Sequence, residues 1–174
     1  MNRLLIIGAG IYACVAYEIA IDMGEFERID FLDDNQQFTP NGISVRGKLS
    51  ELETVLSEYD AVVVAIGNPD IRLSYLQKIN DISSDKIGTL VSPKAYISAS
   101  AVLAGGCIIE PMAVVHTLCR VGQGCFVCAG AVLNHASVCE DGVQVDCNAT
   151  VEGYATVPSG FKVEAGQVFK KTQE

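Results

Sequence analysis

The sequence predicts an α/β protein in two parts, a Rossmann-like N-terminal domain followed by a parallel β-helix built of hexapeptide repeats. A glycine-rich turn between an apolar run and a helical pattern indicates the first part. An unbroken six-residue periodicity from Val91 to Phe169 indicates the second. We therefore predict an N-terminal domain of residues 1–90 and a C-terminal domain of residues 91–174.

The composition limits the classes of partner. Of the 174 residues, 49% are hydrophobic and 19% are charged, so the chain can bury a substantial core. The net charge of −9 disfavours nucleic acids and anionic membranes as partners, because both present a negative surface. No apolar run reaches the roughly 18 residues that a membrane span needs. A small molecule with phosphate groups stays compatible, since backbone N–H groups bind phosphate without basic side chains.

The seven cysteines are an odd number, and several occupy repeat positions that otherwise hold alanine or valine. This usage is typical of small apolar fillers in a reducing compartment, which favours the cytoplasm. Cys125 and Cys128 form a C-x-x-C pair, but no second pair follows at the spacing of a zinc site. We therefore predict no metal.

The N-terminal domain begins with a strand–helix–strand unit. Residues 3–7 are an apolar run, residues 11–23 place apolar side chains at helical spacing, and residues 29–32 are a second apolar run. Gly24 ends the helical pattern. Nucleotide-binding sheets are built from units of this kind.

The first turn of this unit has the spacing of a nucleotide-binding motif. It reads Gly8-x-Gly10-x-x-Ala13, so the glycines allow a tight turn and the start of the helix can face a phosphate. Asp33 and Asp34 follow the second strand, where a carboxylate can hold a ribose hydroxyl or a base edge. The alternatives are a βα turn that needs glycine only for steric reasons, and a solvated strand end.

The rest of this domain supplies a third loop. We expect a minor edge strand at residues 43–45, a short helix at 49–56, a strand buried on both faces at 61–66 and a helix at 71–79. Ligands of open α/β sheets bind beyond the C-terminal ends of the strands. Three loops lie at such ends, with Gly8 and Gly10, Asp33 and Asp34, and Gly67 and Asn68. The sequence therefore predicts one pocket formed by three loops.

The C-terminal domain repeats every six residues, a period that neither a flat strand nor a helix produces. One series is large and apolar: Val91, Ile97, Leu103, Ile109, Val115, Val121, Val127, Leu133, Cys139, Val145, Val151, Val157, Val163 and Phe169. The series two residues earlier is small almost throughout. Short strands joined by corners account for this pattern, and three strands make a coil of about 18 residues. The stretch has room for about four coils.

Glycine recurs three residues after the large series. The positions are Gly106, Gly124, Gly130, Gly142, Gly160 and Gly166. Recurrence at one phase predicts a corner with positive φ. One inward column grows bulkier along the chain, from Cys107 and Cys125 to Val143 and Phe161, as expected where the coil is capped.

The two histidines, His116 and His135, lie in corners of the repeat, one and two residues after a position of the large series. We expect both side chains to point outward. Packing at the surface or at an interface is the ordinary role of such a histidine, and catalysis is the alternative. No nucleophile elbow, zinc-protease or P-loop motif occurs in the chain.

Five segments, taken in order, resemble one family. They are IIGAG, FLDD, AIGN with IR close behind, SPKAYIS, and GAVLNHASV within the repeat. Together they resemble the NeuD/PglD-like sugar acyltransferases, of the sialic-acid O-acetyltransferase and UDP-amino-sugar N-acetyltransferase type, and the resemblance covers nearly the whole chain. The resemblance implies a left-handed β-helix that forms a homotrimer. It also implies a nucleotide sugar held by the N-terminal domain and acetyl-CoA in the groove between neighbouring helices.

The resemblance further implies roles for single residues. His135 corresponds to the catalytic base, which takes a proton from the sugar's amine or hydroxyl as that group attacks the thioester. The nucleotide-sugar site corresponds to Gly8, Gly10, Tyr12, Asp33, Asp34, Gly67 and Asn68. Tyr12 stands where the family often has a histidine of the sugar pocket. We expect His116 to be a bystander or an interface residue.

The chain departs from the family beside the base. Family members usually have an acidic residue there that orients the histidine, and this chain has Ala136. We expect Asn134 or Ser137 to take over that role through a hydrogen bond. The repeat also stops soon after Phe169, before the later coils that help longer relatives to bind acetyl-CoA.

The function that the resemblance implies is transfer of an acetyl or other acyl group from acetyl-CoA to an amine or hydroxyl of a sugar linked to UDP or CMP. The expected setting is bacterial surface-glycan synthesis in the cytoplasm. Ala136, Tyr12 and the short repeat keep an alternative open, a catalytically lapsed relative that binds a nucleotide sugar or serves as a trimeric partner. The small single βαβ unit and the appended β-helix disfavour a third function, one linked to NAD.

Overall fold

A three-stranded parallel sheet forms the centre of the N-terminal part of the chain in a computed structural model, which describes residues 2–171. The strands are β1 (Arg3–Ile7), β2 (Arg28–Leu32) and β3 (Ala61–Val64), in the order β2-β1-β3. Contacts divide the chain into two units, Met1–Leu90 and Val91–Glu174. After β1 the chain crosses to β2, and after β3 it returns on the other side of β3, where an isolated parallel bridge joins Ile87 to Val62. The ends of β1 and β3 therefore form a topological switch point.

Helices cover the sheet. They are α1 (Ile11–Met23), α2 (Leu52–Val55) and α3 (Pro69–Ser83), with 3-10 turns at Leu49–Glu51, Leu56–Glu58 and Ser84–Lys86. Residues Leu4 to Ile7 of β1 are fully buried, as expected of a parallel strand covered on both faces. The side chains of Leu5 and Ile7 pack in one cluster with Leu52 of α2 and Leu76 of α3.

The predicted edge strand at residues 43–45 is wrong. The segment forms a closed loop, in which Thr39 N–H donates to the carbonyl of Ile43 at 2.8 Å and Ile43 N–H donates to the Thr39 hydroxyl at 2.9 Å. Only an isolated bridge joins Phe38 and Ser44. Because the loop uses these backbone groups internally, they are not available for a ladder.

The boundaries of β3 and α3 also differ from the prediction. The strand ends at Val64 instead of residue 66, and α3 begins at Pro69 instead of residue 71. The Asn68 side chain caps the helix by accepting a hydrogen bond from the N–H of Ile71 at 3.0 Å, and proline is favourable in the first turn. The cap at Asn68 and the proline that follows therefore set the start of the helix at Pro69.

The C-terminal part is a parallel β-solenoid of two-residue strands, β4 to β17. Their bounds are Leu90–Val91, Tyr96–Ile97, Val102–Leu103, Ile108–Ile109, Val114–Val115, Arg120–Val121, Phe126–Val127, Val132–Leu133, Val138–Cys139, Gln144–Val145, Thr150–Val151, Thr156–Val157, Lys162–Val163 and Val168–Phe169. They form three sheets, β16-β13-β10-β7-β4, β17-β14-β11-β8-β5 and β15-β12-β9-β6. Paired residues are 18 apart, as in Val132 with Thr150. The predicted fold class, an α/β N-terminal domain followed by a parallel β-helix of about four coils, is confirmed.

The large series of the repeat is the second residue of every strand and points into the solenoid. From Ile109 to Val163 its members are all buried, and they form one core with the small series. Because the coils stack in parallel, the same position of each strand points inward in every coil, and this explains the period of six.

The corners have the backbone conformation that the glycine phase predicts. The six recurring glycines have φ between 64° and 81°. The same phase carries five other residues with positive φ: Met112, Leu118, Ala136, Asn148 and Tyr154. A side chain in this conformation costs roughly 1–2 kcal/mol, so these corners carry strain that the stacking of the coils offsets.

The last coil carries the bulky residue that the inward column predicts, Phe161, and its side chain is exposed. The rings of Phe161 and Phe169 meet edge to face with centroids 5.5 Å apart. Further back, the buried thiols fill the inward column, and those of Cys107 and Cys125 donate to carbonyl oxygens of the next coil at 3.2 Å and 3.0 Å. All seven cysteines are free. Within residues 2–171, no helix combines the length and the apolarity that crossing a membrane requires.

Candidate active site

His135 lies on the corner between β11 and β12. The corner comprises residues 134–137, and the imidazole is exposed. It projects outward because it stands between the inward positions Leu133 and Ser137, both of which are buried. The outward direction predicted for this side chain is confirmed.

Asn134 holds the imidazole. Its Oδ1 lies 2.8 Å from Nδ1 of His135 and also accepts the backbone N–H of His135 at 2.8 Å. Because an amide oxygen only accepts, Nδ1 is the donor in this contact. In the neutral ring Nε2 then has the free lone pair, which is the state a general base needs.

Gly153 and Tyr154 flank the imidazole on the side of the next coil. A Cβ added to Gly153 would stand 2.9 Å from Nε2 and 3.0 Å from Cε1 of His135. The Tyr154 ring meets the imidazole edge to face, with centroids 5.2 Å apart and an interplanar angle of 85°. The absence of a side chain at Gly153 therefore leaves space at the nitrogen that carries the lone pair.

His116 lies on the preceding coil. Its ring centroid is 6.4 Å from that of His135, at an interplanar angle of 72°. Its Nδ1 accepts the backbone N–H of Thr117 at 2.8 Å, and the residue is exposed. The corner thus brings both histidines of the chain together, which the sequence did not predict.

The two other residues considered for this corner are placed differently. Ala136 has a φ of 56°, and its N–H donates to the carbonyl of Thr117 at 2.8 Å. Ser137 is buried, and its hydroxyl lies 3.4 Å from Sγ of Cys119 inside the coil. Of the two candidates for orienting the base, the structure places Asn134 on the imidazole and Ser137 in the core.

In the N-terminal unit, Gly8 fits a turn that other residues fit poorly. Its φ is 99°, and an added Cβ would stand 3.1 Å from Cγ1 of Ile66 and 3.2 Å from the carbonyl oxygen of Ala65. Gly10 caps α1, and the space around it is open. The turn therefore brings the start of α1 to the switch point between β1 and β3.

Asp33 ties this turn to the loop after β2. Its Oδ2 accepts the N–H of Ala9 at 2.8 Å, and its Oδ1 accepts those of Asn35 and Gln36 at 2.8 Å and 3.0 Å. Oδ1 of Asp34 accepts the N–H of Leu49 at 3.0 Å. Both carboxylates shape loops around the predicted pocket.

Arg72 supports the third loop, a role that the sequence did not reveal. Its side chain is fully buried, and its guanidinium donates to the carbonyls of Ile66 and Gly67 at 2.7 Å and 2.9 Å. Gly67 and Asn68 are exposed at the start of α3, while Tyr12 is half-buried in the first turn of α1. A buried arginine that donates to loop carbonyls holds this loop in one shape.

The sheet that contains β6, β9 and β12 carries a groove of about 440 Å³. Its lining combines apolar side chains, such as Val102 and Val138, with the guanidinium of Arg120 and the carboxylates of Glu140 and Asp141. The apolar floor suits the aliphatic arm of an acyl-CoA, and Arg120 is the cation in this lining that a phosphate group can meet. Among residues 2–171, no three His, Cys, Asp or Glu side chains stand close enough to hold a metal ion.

The C-x-x-C pair lies in the packing of the solenoid. Burial raises the pKa of the Cys128 thiol far above its ordinary range, and the neighbouring Glu110 raises it further. Sγ of Cys125 donates to the carbonyl of Glu140. A thiol held protonated is neither a nucleophile nor a metal ligand.

The N-terminal residues 3–79 match the PglD N-terminal domain family. Along the whole chain, the fold is similar to the acetyltransferase domain of PglB from Neisseria gonorrhoeae FA1090, at 28% identity and a TM-score of 0.84 over 98% of this chain and 86% of that one. The same domain in complex with acetyl coenzyme A matches at 26% identity and a TM-score of 0.83, with the same coverage.

A more distant likeness concerns the fold alone. It is to a variant of perosamine N-acetyltransferase from Caulobacter crescentus, in complex with CoA and GDP-perosamine, at 23% identity and a TM-score of 0.70 over 98% of this chain and 90% of that one. The resemblance to the NeuD/PglD-like sugar acyltransferases is thereby confirmed.

Proposed function

We propose that this chain, which resembles the NeuD/PglD-like sugar acyltransferases and carries a PglD N-terminal domain, transfers an acetyl group from acetyl-CoA to an amine or hydroxyl of a nucleotide-linked sugar. The acetyl coenzyme A bound to the PglB domain supports the donor. The GDP-perosamine bound to the Caulobacter enzyme supports the class of acceptor. We assign a UDP- or CMP-linked sugar, with GDP as the third nucleotide to test.

The contact between Asn134 and His135 is the observation that carries the proposal. An Nδ1 that donates to the Asn134 oxygen at 2.8 Å fixes the tautomer in which Nε2 accepts a proton. The asparagine thus supplies the orientation that an acidic neighbour supplies elsewhere in the family, although it adds no charge. His135 therefore acts as the general base without a carboxylate.

His135 moves one proton. Its Nε2 accepts the proton that the amine or hydroxyl loses while it forms a bond to the thioester carbon. Acetyl-CoA, when bound, supplies the activated acetyl group. As the carbon–sulfur bond breaks, His135 passes the proton to the sulfur, so the imidazole is neutral again and CoA leaves as a thiol. General-base catalysis of this kind contributes about 10²- to 10⁴-fold.

The nucleotide sugar is assigned to the switch point of the N-terminal sheet. Gly8 and Gly10 open the turn toward phosphate, and the start of α1 offers N–H groups there. Tyr12, Gly67 and Asn68 complete the rim of the pocket. Asp33 and Asp34 act by shaping the two loops, since their carboxylates already accept backbone N–H groups.

We assign a homotrimer in the cytoplasm, at work in bacterial surface-glycan synthesis. Exposed apolar side chains on the outer faces of the solenoid support association, among them Tyr96, Val102 and Val168. Light scattering after size-exclusion chromatography should give three times the mass of the chain. A monomer at working concentrations would count against the assembly.

Acetylation of a panel of UDP-, CMP- and GDP-linked amino sugars, followed by mass spectrometry, tests the proposal. We expect one class of sugar to gain an acetyl group and CoA thiol to be released. His135→Ala should lower kcat by about 10²- to 10⁴-fold, with an unchanged melting temperature because the imidazole is exposed. Wild-type turnover no faster than that of His135→Ala across the panel would refute the enzymatic function.

A second candidate is a lapsed relative that binds a nucleotide sugar without turnover. Ala136 favours it, because no charged neighbour in the corner stabilises the imidazolium that forms when His135 takes a proton. Calorimetry separates the two functions. Saturable binding of a nucleotide sugar with no acetylated product would support the lapsed relative.

A further inference from the structure

We propose that His116 is a second functional histidine, whose Nε2–H donates a hydrogen bond to an oxygen of the acceptor sugar next to the group that His135 deprotonates. The inference rests on the proposed acetyl transfer. It makes His116 a residue that binds the acceptor, in contrast to the bystander that the sequence predicts.

The hydrogen bond at the other ring nitrogen identifies His116 as a donor. The backbone N–H of Thr117 donates to Nδ1 of His116 at 2.8 Å. An imidazole nitrogen that accepts a hydrogen bond carries no proton, so the neutral ring has its proton on Nε2. Because the side chain is exposed, this N–H is open to a ligand.

His135 has the opposite tautomer. Its Nδ1 donates to Oδ1 of Asn134 at 2.8 Å, which leaves Nε2 as an acceptor. The corner therefore combines one imidazole that accepts at Nε2 with one that donates at Nε2. A sugar with an amine or hydroxyl to be acetylated and a second oxygen on the adjacent carbon matches this pair.

The position of the two rings supports a shared ligand. Their centroids are 6.4 Å apart and the planes are inclined by 72°. Tyr154 occupies the opposite side of His135, at 5.2 Å between centroids. His116 is therefore the polar side chain that an acceptor meets on the flank of His135 away from Tyr154.

A structural role for His116 can be tested separately from a role in binding. Other corners of the chain show which side chains make the same contact with the next backbone N–H. Asn134 and Asp146 also follow a strand directly, and each accepts the N–H of the next residue at 2.8 Å through Oδ1. His116→Asn should therefore preserve the hydrogen bond to Thr117 while it removes the N–H donor of the ring. His116→Ala removes both.

The first arm of the experiment measures tautomers in the intact protein. Two-bond ¹H–¹⁵N correlation spectra above pH 8 should show His116 with the proton on Nε2 and His135 with the proton on Nδ1. The signals of the two imidazoles are assigned from the spectra of His116→Asn and His135→Ala, each of which lacks one of the rings. A proton on Nδ1 of His116 would overturn the inference, whether or not the protein turns over any sugar.

The second arm measures steady-state kinetics with the sugar from the panel that the wild type acetylates. His116→Asn should raise the KM for the sugar by about 2- to 10-fold, the effect of one neutral hydrogen bond, with kcat and the KM for acetyl-CoA unchanged. Its melting temperature should equal that of the wild type. An analogue that lacks the adjacent hydroxyl should abolish the difference between the two proteins.

The outcomes distinguish the two proposals. A wild type that acetylates no sugar refutes the proposed function. A wild type that does so, with a sugar KM that is the same in His116→Asn, refutes the role of His116 alone. Equal increases in both KM values together with a lower melting temperature would show that the residue acts only on the structure of the corner.

Discussion

Adding a methyl group at position 153 should lower the activity strongly and the stability only slightly. In Gly153→Ala, the new Cβ would lie 2.9 Å from Nε2 and 3.0 Å from Cε1 of His135, where ordinary contacts begin at 3.4 Å. The ring must therefore retreat by about 0.5 Å, the difference between 2.9 and 3.4 Å. Gly153 itself is outside the left-handed region, so alanine adds no backbone strain.

The expected magnitudes follow from the exposure of the ring. An exposed imidazole can change its torsions at a cost of about 1 kcal/mol, which lowers Tm by roughly 2–4 °C for a chain of this size. If His135 is the general base that we propose, displacing it by about half an ångström should lower kcat by ~10- to 100-fold, because catalysis depends steeply on the position of the reacting groups. Release of CoA thiol measures kcat, and thermal melting measures Tm.

Two results would refute this reasoning. A kcat for Gly153→Ala within two-fold of the wild type would mean that Nε2 of His135 does not act at this place. The double variant with His135→Ala is the control for stability, since it removes the ring that the methyl group meets. If Gly153→Ala lowers Tm as much in that background as in the wild type, the contact with the imidazole is not the cause.

Three further predictions concern the same solenoid. Asn134→Ala should lower kcat by about 10- to 100-fold without loss of fold, because the freed ring of His135 then adopts other orientations and tautomers. Ala136→Gly should stabilise the protein by about 1 kcal/mol, measured by urea denaturation, since φ at this residue is 56°. A hydrogen bond from Lys162 holds the pKa of Asp146 below its ordinary value of 3.8. This pair therefore stabilises the fold above that pH and is lost as the pH falls through the lowered pKa, so Asp146→Asn should show a smaller acid-induced fall in Tm.

Each of these has a matched control. Asn134→Asp retains an acceptor oxygen and should keep most of the activity, so equal losses in the two variants would contradict the orienting role. Ala129→Gly, at a corner residue without positive φ, should be destabilising; stabilisation there would remove the conformational explanation. Acid sensitivity of Asp146→Asn equal to that of the wild type would show that this ion pair does not contribute.

The glycine-rich turn of the N-terminal unit shows what a sequence motif predicts about local structure and what it does not. The sequence predicted that Gly8 was needed for a tight turn, and its φ of 99° together with the nearby Ile66 explains why. The sequence also offered Asp33 and Asp34 as contacts to a ligand. In the fold these carboxylates accept backbone N–H groups, because a short acidic side chain at a strand end reaches the neighbouring loop.

The corner that carries His135 shows which neighbours the stacking of the coils brings together. His135 could be selected from the sequence, whereas Gly153 and His116 lie 18 residues after it and 19 residues before it. The 18-residue coil was a signal for Gly153, since one coil brings position 153 over position 135. The same coil places positions 116 and 154 on the neighbouring coils, but it does not specify how their rings are turned toward His135, because that depends on rotamers in exposed corners.

The period of six was sufficient to predict the solenoid, its register and its glycine corners. Parallel coils bury the same repeat positions at each turn, so apolar residues recur in the sequence every six positions. The tautomer and the neighbours of His135, and the burial of Arg72 beneath the loop after β3, follow from the three-dimensional fold and not from the period. Hydrogen bonds between polar side chains and loops depend on directions in space, and hydrophobic periodicity does not record these directions.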